Sequence, residues 1–139
     1  MLAGALCART LLDLGAEVIK IEPPRPDVSR FAFPSTPGMS GDYAQQNAGK
    51  RNVSTDLNMP DARELALRLC DTADVVVENF RAATLRFFGL DYETRAARNP
   101  RLIYASVTAT VSADRGKAGW PTRRRSRAST TALSLASSV

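Results

Sequence analysis

The sequence predicts an α/β protein built on a doubly wound parallel sheet, and three observations support this fold class. Segments with a helical period alternate with short strand-like segments between residues 2 and 108. Residues 73–80, Ala-Asp-Val-Val-Val-Glu-Asn-Phe, contain three consecutive valines, which is typical of a strand covered on both faces. This strand ends in Glu78-Asn79-Phe80, and ligands of open α/β sheets bind at the carboxyl ends of the strands. A buried strand with an arbitrary ending is the alternative.

The first predicted element is an amphipathic helix that leads into a strand. Apolar residues recur at three- and four-residue intervals over residues 3–14, and Gly15 suits the left-handed position after a helix. Residues 17–22, Glu-Val-Ile-Lys-Ile-Glu, alternate charged and apolar side chains and predict a strand, which Pro23 ends. A β-α-β unit begins with a strand before its helix. We therefore expect an opening strand to be missing upstream of Met1, which leaves the sheet incomplete.

A long loop and a cationic turn come next. Residues 23–48 carry five prolines and two glycines without a sustained period, so we predict an irregular loop that is either functional or disordered. The turn after it places Lys50 and Arg51 behind Gly49. Ammonium and guanidinium groups beside a glycine can hold a phosphate, because a backbone without a side chain allows close approach. The alternative is that both cations are solvated turn residues.

The remaining elements up to residue 108 alternate in type. Pro60 suits the first turn of a helix, because its fixed backbone angle fits that position. Gly89 and the pair Asn99-Pro100 each end a short helix. The predicted elements are a strand at 53–57, a helix at 60–73, a helix at 81–88, a second short helix between residues 92 and 99, and a strand at 101–108.

Composition limits the size and the chemistry of the protein. A chain of 139 residues with 44% hydrophobic residues is one ordinary globular domain or part of one. Cys7 and Cys70 have no CxxC spacing and predict buried free thiols of a cytoplasmic protein. No apolar run is long enough to span a bilayer, so no membrane partner is expected. Histidine is absent, which excludes a His base, a Ser-His-Asp triad and a His-ligated metal, and no metal site is predicted.

The net charge of +5 comes from the C-terminal tail. Residues 1–110 hold 13 basic and 13 acidic side chains, whereas residues 111–139 hold 6 and 1. The segment 109–139 is a basic, Ser/Thr/Arg-rich tail that buries too little apolar area to offset ordering entropy, so we predict that it is disordered. Residues 123–127 carry four arginines that could bind a nucleic-acid backbone. A tail without a selected role is the preferred interpretation, and a nucleic-acid partner is not expected.

Four blocks of sequence resemble blocks in the N-terminal part of the class III CoA-transferases and occur in the same order as they do there. This family contains formyl-CoA transferase and carnitine CoA-transferase and shares its fold with α-methylacyl-CoA racemase. The resemblance implies that residues 1–108 are a partial CoA-binding large domain with a Rossmann-like fold. It further implies coenzyme A as substrate or ligand, no covalently bound cofactor, and an interlocked homodimer for the complete protein. The blocks are residues 15–23 (Gly-Ala-Glu-Val-Ile-Lys-Ile-Glu-Pro), 49–51 (Gly-Lys-Arg), 76–80 (Val-Val-Glu-Asn-Phe) and 99–104 (Asn-Pro-Arg-Leu-Ile-Tyr).

The resemblance also implies which residues contact CoA. In the family, the loop after the Val-Glu-Asn-Phe strand contacts CoA, and the segment after the Gly-Lys-Arg turn approaches it. The residue types are suitable, because an adenine ring needs an apolar or aromatic wall and its phosphates need cations. The predicted CoA-binding residues are Lys50, Arg51, Asp56, Leu57, Asn58, Asn79 and Phe80.

The resemblance assigns no catalytic residue. In the family, an aspartate attacks the acyl-CoA thioester and forms a mixed anhydride, and it lies beyond a Gly-rich loop that follows the last matching strand. Here Thr108 is followed by Ala-Thr-Val and the basic tail, and Asp114 stands in no family motif. The racemase branch is expected to need a histidine, which this chain lacks.

We therefore predict a truncated, cytoplasmic member of this transferase family. The family activity is transfer of CoA between carboxylic acids through the aspartyl nucleophile that is missing here. The abrupt change of composition near Ala109 motivates the hypothesis that the tail is read out of frame. Translating the locus in its other frames tests that hypothesis. The alternatives are a racemase-like fragment, a CoA-binding remnant without turnover, and a nucleic-acid-binding protein that acts through the tail.

Overall fold

The centre of the computed structural model is a parallel sheet of five strands. The structure describes residues 2–25, 27–32, 34–36, 39–80, 82–107 and 131–135. The strands are β1 (Glu17–Glu22), β2 (Pro34–Thr36), β3 (Met39–Ser40), β4 (Arg51–Ser54), β5 (Val75–Glu78), β6 (Ile103–Ser106) and β7 (Thr131–Leu135). The helices are α1 (Leu2–Asp13), α2 (Gly41–Asn47), α3 (Pro60–Thr72), α4 (Ala82–Phe88) and α5 (Tyr92–Arg98). β2 and β3 form an antiparallel pair, and the other strands lie in the order β4-β1-β7-β5-β6, all parallel.

The predicted α/β fold class is confirmed, and the local signals explain most of its elements. β5 is buried along its whole length, as its three valines predict. Gly15 and Gly89 have φ angles of 94° and 67°, the left-handed conformation that glycine adopts without strain after a helix. Among the described residues, no helix has the length and the apolar character that crossing a membrane requires.

Helices cover both faces of the sheet, and the face on which a strand side chain lies determines which helix it contacts. On one face, here called the α1 face, Ala8 of α1 packs with Val18 and Val77. On the opposite face, here called the α3 face, α3 packs through Ala66 and Cys70. Side chains of a strand alternate between faces, so the even-numbered residues of β1 and the residues 77 and 79 at the end of β5 belong to the α1 face.

The segment 23–48 is more ordered than predicted. It contains a 3-10 turn at Val28–Arg30, the β2-β3 pair and α2. Helix α2 begins directly after Ser40, whose Oγ accepts a hydrogen bond from the Tyr43 backbone N–H at 3.3 Å. The Tyr43 ring is buried. One serine cap and one buried aromatic stabilise α2. A helix of seven residues is too short to show a period, so α2 was not predicted from the sequence.

The prediction of a disordered tail is wrong for Thr131–Leu135, which forms β7 in the middle of the sheet. Thr131 pairs with Glu17 at the amino end of β1, and Leu135 pairs with Ile21 near its carboxyl end. Four of the five β7 side chains are buried. The sequence Thr-Ala-Leu-Ser-Leu has the alternation of a strand, but it lies within a tail whose overall composition favours disorder. The other residues of the segment 109–139 lie outside the described residues.

Candidate functional site

The carboxyl end of the sheet on the α1 face carries the main candidate site. Asn79, which directly follows β5, is 8% exposed, and its Oδ1 has no hydrogen-bond donor among the described residues. Its side chain lies against the first turn of α1. Asn79 Cγ is 3.5 Å from the position that a Cβ atom on Gly4 would occupy. A buried acceptor without a donor costs about 1–3 kcal/mol. Asn79 Oδ1 is therefore well placed to accept a hydrogen bond from a ligand.

Lys50, which directly precedes β4, reaches the same turn of α1. Its Nζ donates to the Ala5 carbonyl at 2.8 Å and to Asn47 Oδ1 at 3.3 Å. Burial lowers the pKa of Lys50 to about 8, and repulsion from Lys20 and Arg9 adds to this effect. Lys50 and Asn79 thus contact adjacent residues of α1, although 29 positions separate them in the sequence. The first-turn N–H groups of a helix favour anions, so this corner combines a helix N-terminus, a cation and a buried amide.

Phe80 follows Asn79 but belongs to the other face of the sheet. Its ring is partly buried against the core of the α3 face. Its backbone N–H donates to Glu78 Oε2 at 2.8 Å, which fixes the direction of the chain as it leaves β5. Phe80 therefore borders the carboxyl edge from the α3 side, opposite Asn79.

Asp56, Leu57 and Asn58 form the turn after β4 at the same edge of the sheet. Asp56 Oδ1 accepts hydrogen bonds from the Asn58 backbone N–H at 3.0 Å and from Asn58 Nδ2 at 2.8 Å. Leu57 packs on the α3-face core. β1 and β7 lie between β4 and β5. At about 4.8 Å per strand spacing, this turn stands roughly 14 Å from the end of β5, so only an extended ligand spans both loops.

Arg51 is not brought together with the other predicted residues. It begins β4 at the amino edge of the sheet, where its Nη1 lies 2.6 Å from Glu17 Oε1. The Arg51 side chain is 76% exposed, and that of Glu17 is 45% exposed. The two cations are adjacent in the sequence but lie in different places. The Lys50 side chain extends along α1, whereas Arg51 forms an ion pair with Glu17 at the amino end of β1.

A buried ionic cluster that was not predicted from the sequence, here called the Glu22 cluster, lies at the carboxyl end of β1. Lys20 and Glu22 are 2% and 3% exposed, and Lys20 Nζ lies 3.1 Å from Glu22 Oε2. Asp27 Oδ2 stands 3.5 Å from the same ammonium. Arg30 Nη2 donates to Glu22 Oε1 at 2.5 Å. Both cations lie over the Tyr43 ring, with Lys20 Nζ at 4.4 Å and the Arg30 guanidinium carbon at 4.1 Å from its centroid.

The charges of the Glu22 cluster balance within the cluster. Burial raises the pKa of Glu22, but hydrogen bonds from Arg30, Asn52 and Lys20 outweigh this effect and hold the pKa below 4.5. One cation, Lys20, is therefore buried together with two carboxylates, and Arg30, whose side chain is 26% exposed, supplies the second positive charge from the rim of the cluster. The alternating pattern of residues 17–22 suggests one exposed charged face, whereas in the structure every residue of β1 after Glu17 is buried or partly buried. A lysine and a glutamate two positions apart in one strand were the only signal for this cluster.

Comparison with known proteins assigns the chain to a family. The sequence model of CoA-transferase family III matches residues 1–126, past the point where the resemblance in the sequence ends. A protein of Mycobacterium tuberculosis named "Probable fatty acyl-CoA transferase" is 44% identical over 110 residues, which cover 77% of this chain and 28% of the relative. Succinyl-CoA:mesaconate CoA-transferase of Haloarcula hispanica is 43% identical over 112 residues, with the same coverage of 77% and 28%.

The fold agrees with solved structures of the same kind. A crystal structure of a CAIB/BAIF family protein from Brucella suis superimposes with a TM-score of 0.71 at 44% identity, over 76% of this chain and 29% of that chain. The chain thus spans less than a third of the length of these relatives. The match of the family covers all the predicted CoA-binding residues and nearly the whole chain. The protein belongs to the CoA-transferase family III.

Proposed function

We propose that this chain is the CoA-binding part of a family III CoA-transferase and that it binds CoA or acyl-CoA at the carboxyl end of the sheet. The observation that carries the proposal is the buried Asn79 Oδ1, which has no donor among the described residues. The Asn79 side chain lies against Gly4 in the first turn of α1, and Lys50 contacts Ala5, the next residue of that turn. The names of the relatives describe enzymes that act on CoA thioesters, which supports the same ligand class.

The chemistry of CoA suits the groups at this edge. An amide or amino N–H of CoA would donate to Asn79 Oδ1, and a phosphate would be stabilised by Lys50 and the first turn of α1. Phe80 offers an aromatic border, and the turn of Asp56, Leu57 and Asn58 would line the far end of an extended ligand. Arg51 lies at the opposite edge, so its contribution would be long-range attraction of an anionic ligand.

The described residues are suited to binding rather than to the covalent step. Transfer of CoA between carboxylic acids requires a carboxylate that can attack a thioester. Within the described part of this edge, Glu22 is held in its ionic cluster, Glu78 accepts from Phe80 N–H, and Asp56 accepts from Asn58. We therefore propose that the nucleophile is supplied from outside these residues. A cytoplasmic location and the interlocked homodimer stay predictions.

Replacing Asn79 by Ala is expected to weaken CoA binding about five- to tenfold, because one hydrogen bond worth about 1–1.4 kcal/mol is lost. Isothermal titration calorimetry of the full chain with CoA measures this change. Asn99→Ala is the matched control, since Asn99 lies at the amino edge, where its Nδ2 donates to the Ala73 carbonyl. Equal affinities of Asn79→Ala and the wild type, or no heat with the wild type, would contradict the proposal.

A further inference from the structure

Lys50 is a partly buried cation that has no carboxylate partner among the described residues. Its ammonium donates to the Ala5 carbonyl at 2.8 Å and to Asn47 Oδ1 at 3.3 Å, and both of these acceptors are neutral. The buried Lys20 differs, since Glu22 Oε2 lies 3.1 Å from its ammonium. A cation that is withdrawn from water without a counter-ion is destabilised, because nothing fully replaces the hydration that it loses. The surroundings of Lys50 thus lack one negative charge.

The charged groups that face Lys50 increase this imbalance. Burial has the largest effect on the pKa of Lys50, and repulsion from Lys20 of β1 and Arg9 of α1 lowers the pKa further. The Cys7 thiol of α1 acts in the opposite direction, and α2 contributes the neutral Asn47. The pKa falls to about 8 as a result. Lys50 is therefore partly deprotonated in the free protein just above neutral pH.

The first turn of α1 favours an anion beside Lys50. The N–H groups at the start of a helix stabilise negative charge, and Lys50 contacts Ala5 in this turn. Asn79 lies against Gly4 of the same turn, and its buried Oδ1 accepts no hydrogen bond from a described residue. This acceptor indicates a ligand with an N–H group. CoA combines phosphates with amide and amino N–H groups, so one ligand can supply the missing donor and the missing negative charge.

We propose that a phosphate of CoA is the counter-ion of Lys50 and that binding of CoA is therefore coupled to the uptake of a proton by Lys50. This proposal rests on the proposed function. A phosphate beside the Lys50 nitrogen favours its charged form, so a neutral amine takes a proton from the solvent as the ligand binds. By linkage, the affinity for CoA falls as the pH rises through the pKa of Lys50 in the free protein.

Isothermal titration calorimetry of the full chain with acetyl-CoA measures the coupling. The acetyl thioester has no thiol proton, and the ligand phosphates are largely ionised above pH 7, because the second pKa of a phosphate monoester is about 6. The affinity should fall about tenfold between pH 7 and pH 9. Titrations in buffers of different ionisation enthalpy should show the uptake of roughly 0.5 proton at pH 8. An affinity that stays constant over this range, without proton uptake, would overturn the proposal.

Two substitutions of Lys50 identify the titrating group. Lys50→Arg keeps its charge throughout this range, because a guanidinium is always protonated, so its affinity for acetyl-CoA should not depend on pH. Lys50→Met has no charge, so its affinity should be low at both pH values. Cys7→Ser controls for the nearby thiol and should retain the pH dependence of the wild type. A tenfold fall in affinity that persists in Lys50→Met would assign the proton to another group and overturn the proposal.

Asn47→Asp supplies the missing carboxylate from within the protein. Asn47 Oδ1 already contacts the Lys50 ammonium, so an aspartate in this place would hold Lys50 protonated and compete with the ligand phosphate. The affinity for acetyl-CoA should fall about three- to tenfold at pH 7, and its pH dependence should disappear. Gln45→Glu is the charge-matched control at an exposed position of α2, and it should behave as the wild type. Equal behaviour of the two variants would contradict the proposal.

A ligand without phosphate separates the two proposals. S-acetylpantetheine retains the amides and the thioester of acetyl-CoA, and it should bind without pH dependence or give no heat. Binding of S-acetylpantetheine that weakens tenfold between pH 7 and pH 9 would show that a phosphate is not the counter-ion. Acetyl-CoA that binds with a pH-independent affinity overturns only the coupling, whereas acetyl-CoA that binds at no pH overturns the proposed function together with the coupling.

Discussion

Glu22→Gln is expected to lower the free energy of unfolding by about 3–5 kcal/mol, because it leaves the buried Lys20 and the partly buried Arg30 without their shared carboxylate. Among the described residues, Lys20, which is 2% exposed, would keep Asp27 as its one ionic partner, and Arg30 would lose the carboxylate that accepts from it. Urea unfolding near neutral pH, followed by circular dichroism, measures the loss. This loss is a large fraction of the free energy of unfolding of a typical protein, which is about 5–15 kcal/mol.

The matched control is Glu17→Gln, the same substitution at the other end of the same strand. Glu17 and Arg51 form an exposed pair, so the loss should stay below about 1 kcal/mol.

The stability of both variants at acidic pH provides a second test. The pKa of Glu22 lies below 4.5, so its stabilisation is complete above that value and disappears as the pH falls through the folded pKa. Glu22→Gln should lack this part of the acid loss, and similar losses for both variants near neutral pH would show that the cluster is not buried.

Leu133→Ala is expected to lower the free energy of unfolding by about 2–5 kcal/mol, since Leu133 is 1% exposed and its removal leaves a cavity among core residues. β7 pairs with both β1 and β5, so the loss should weaken the whole sheet rather than one edge of it. Urea unfolding followed by circular dichroism measures the change.

An exposed leucine supplies the control for this variant. Leu14 is 80% exposed after the last turn of α1, so Leu14→Ala should change stability by less than about 0.5 kcal/mol. Losses of similar size in the two variants would contradict the burial of Leu133 in the core of the sheet.

Most of the fold could be predicted because its signals are local. The valines of β5, the alternation of β1 and the glycines after α1 and α4 each act within a few residues, where backbone sterics and side-chain period decide the structure. The order of the strands has no such signal, because it depends on how distant segments pack. β7 shows this most clearly, since its neighbours β1 and β5 lie far away in the sequence.

The candidate site was predictable only in part, for the same reason. Asn79 follows a buried strand, so its place at the carboxyl edge could be inferred from sequence. The contact of Lys50 with α1 and the split between Lys50 and Arg51 depend on side-chain directions that a turn motif does not fix. The Glu22 cluster was missed because charged residues in a strand predict exposure unless their partners, here Arg30 and Tyr43, are known.

The most direct test of the account is to map where CoA binds on the full chain by nuclear magnetic resonance of its backbone amides. We predict that added CoA shifts the signals of the first turn of α1, of Asn79 and Phe80, and of the turn at residues 56–58. The signals of residues at the amino edge, such as Glu17 and Arg51, should not shift. Shifts confined to the amino edge, or no shifts at saturating CoA, would contradict the claim that the carboxyl end of this sheet binds the ligand.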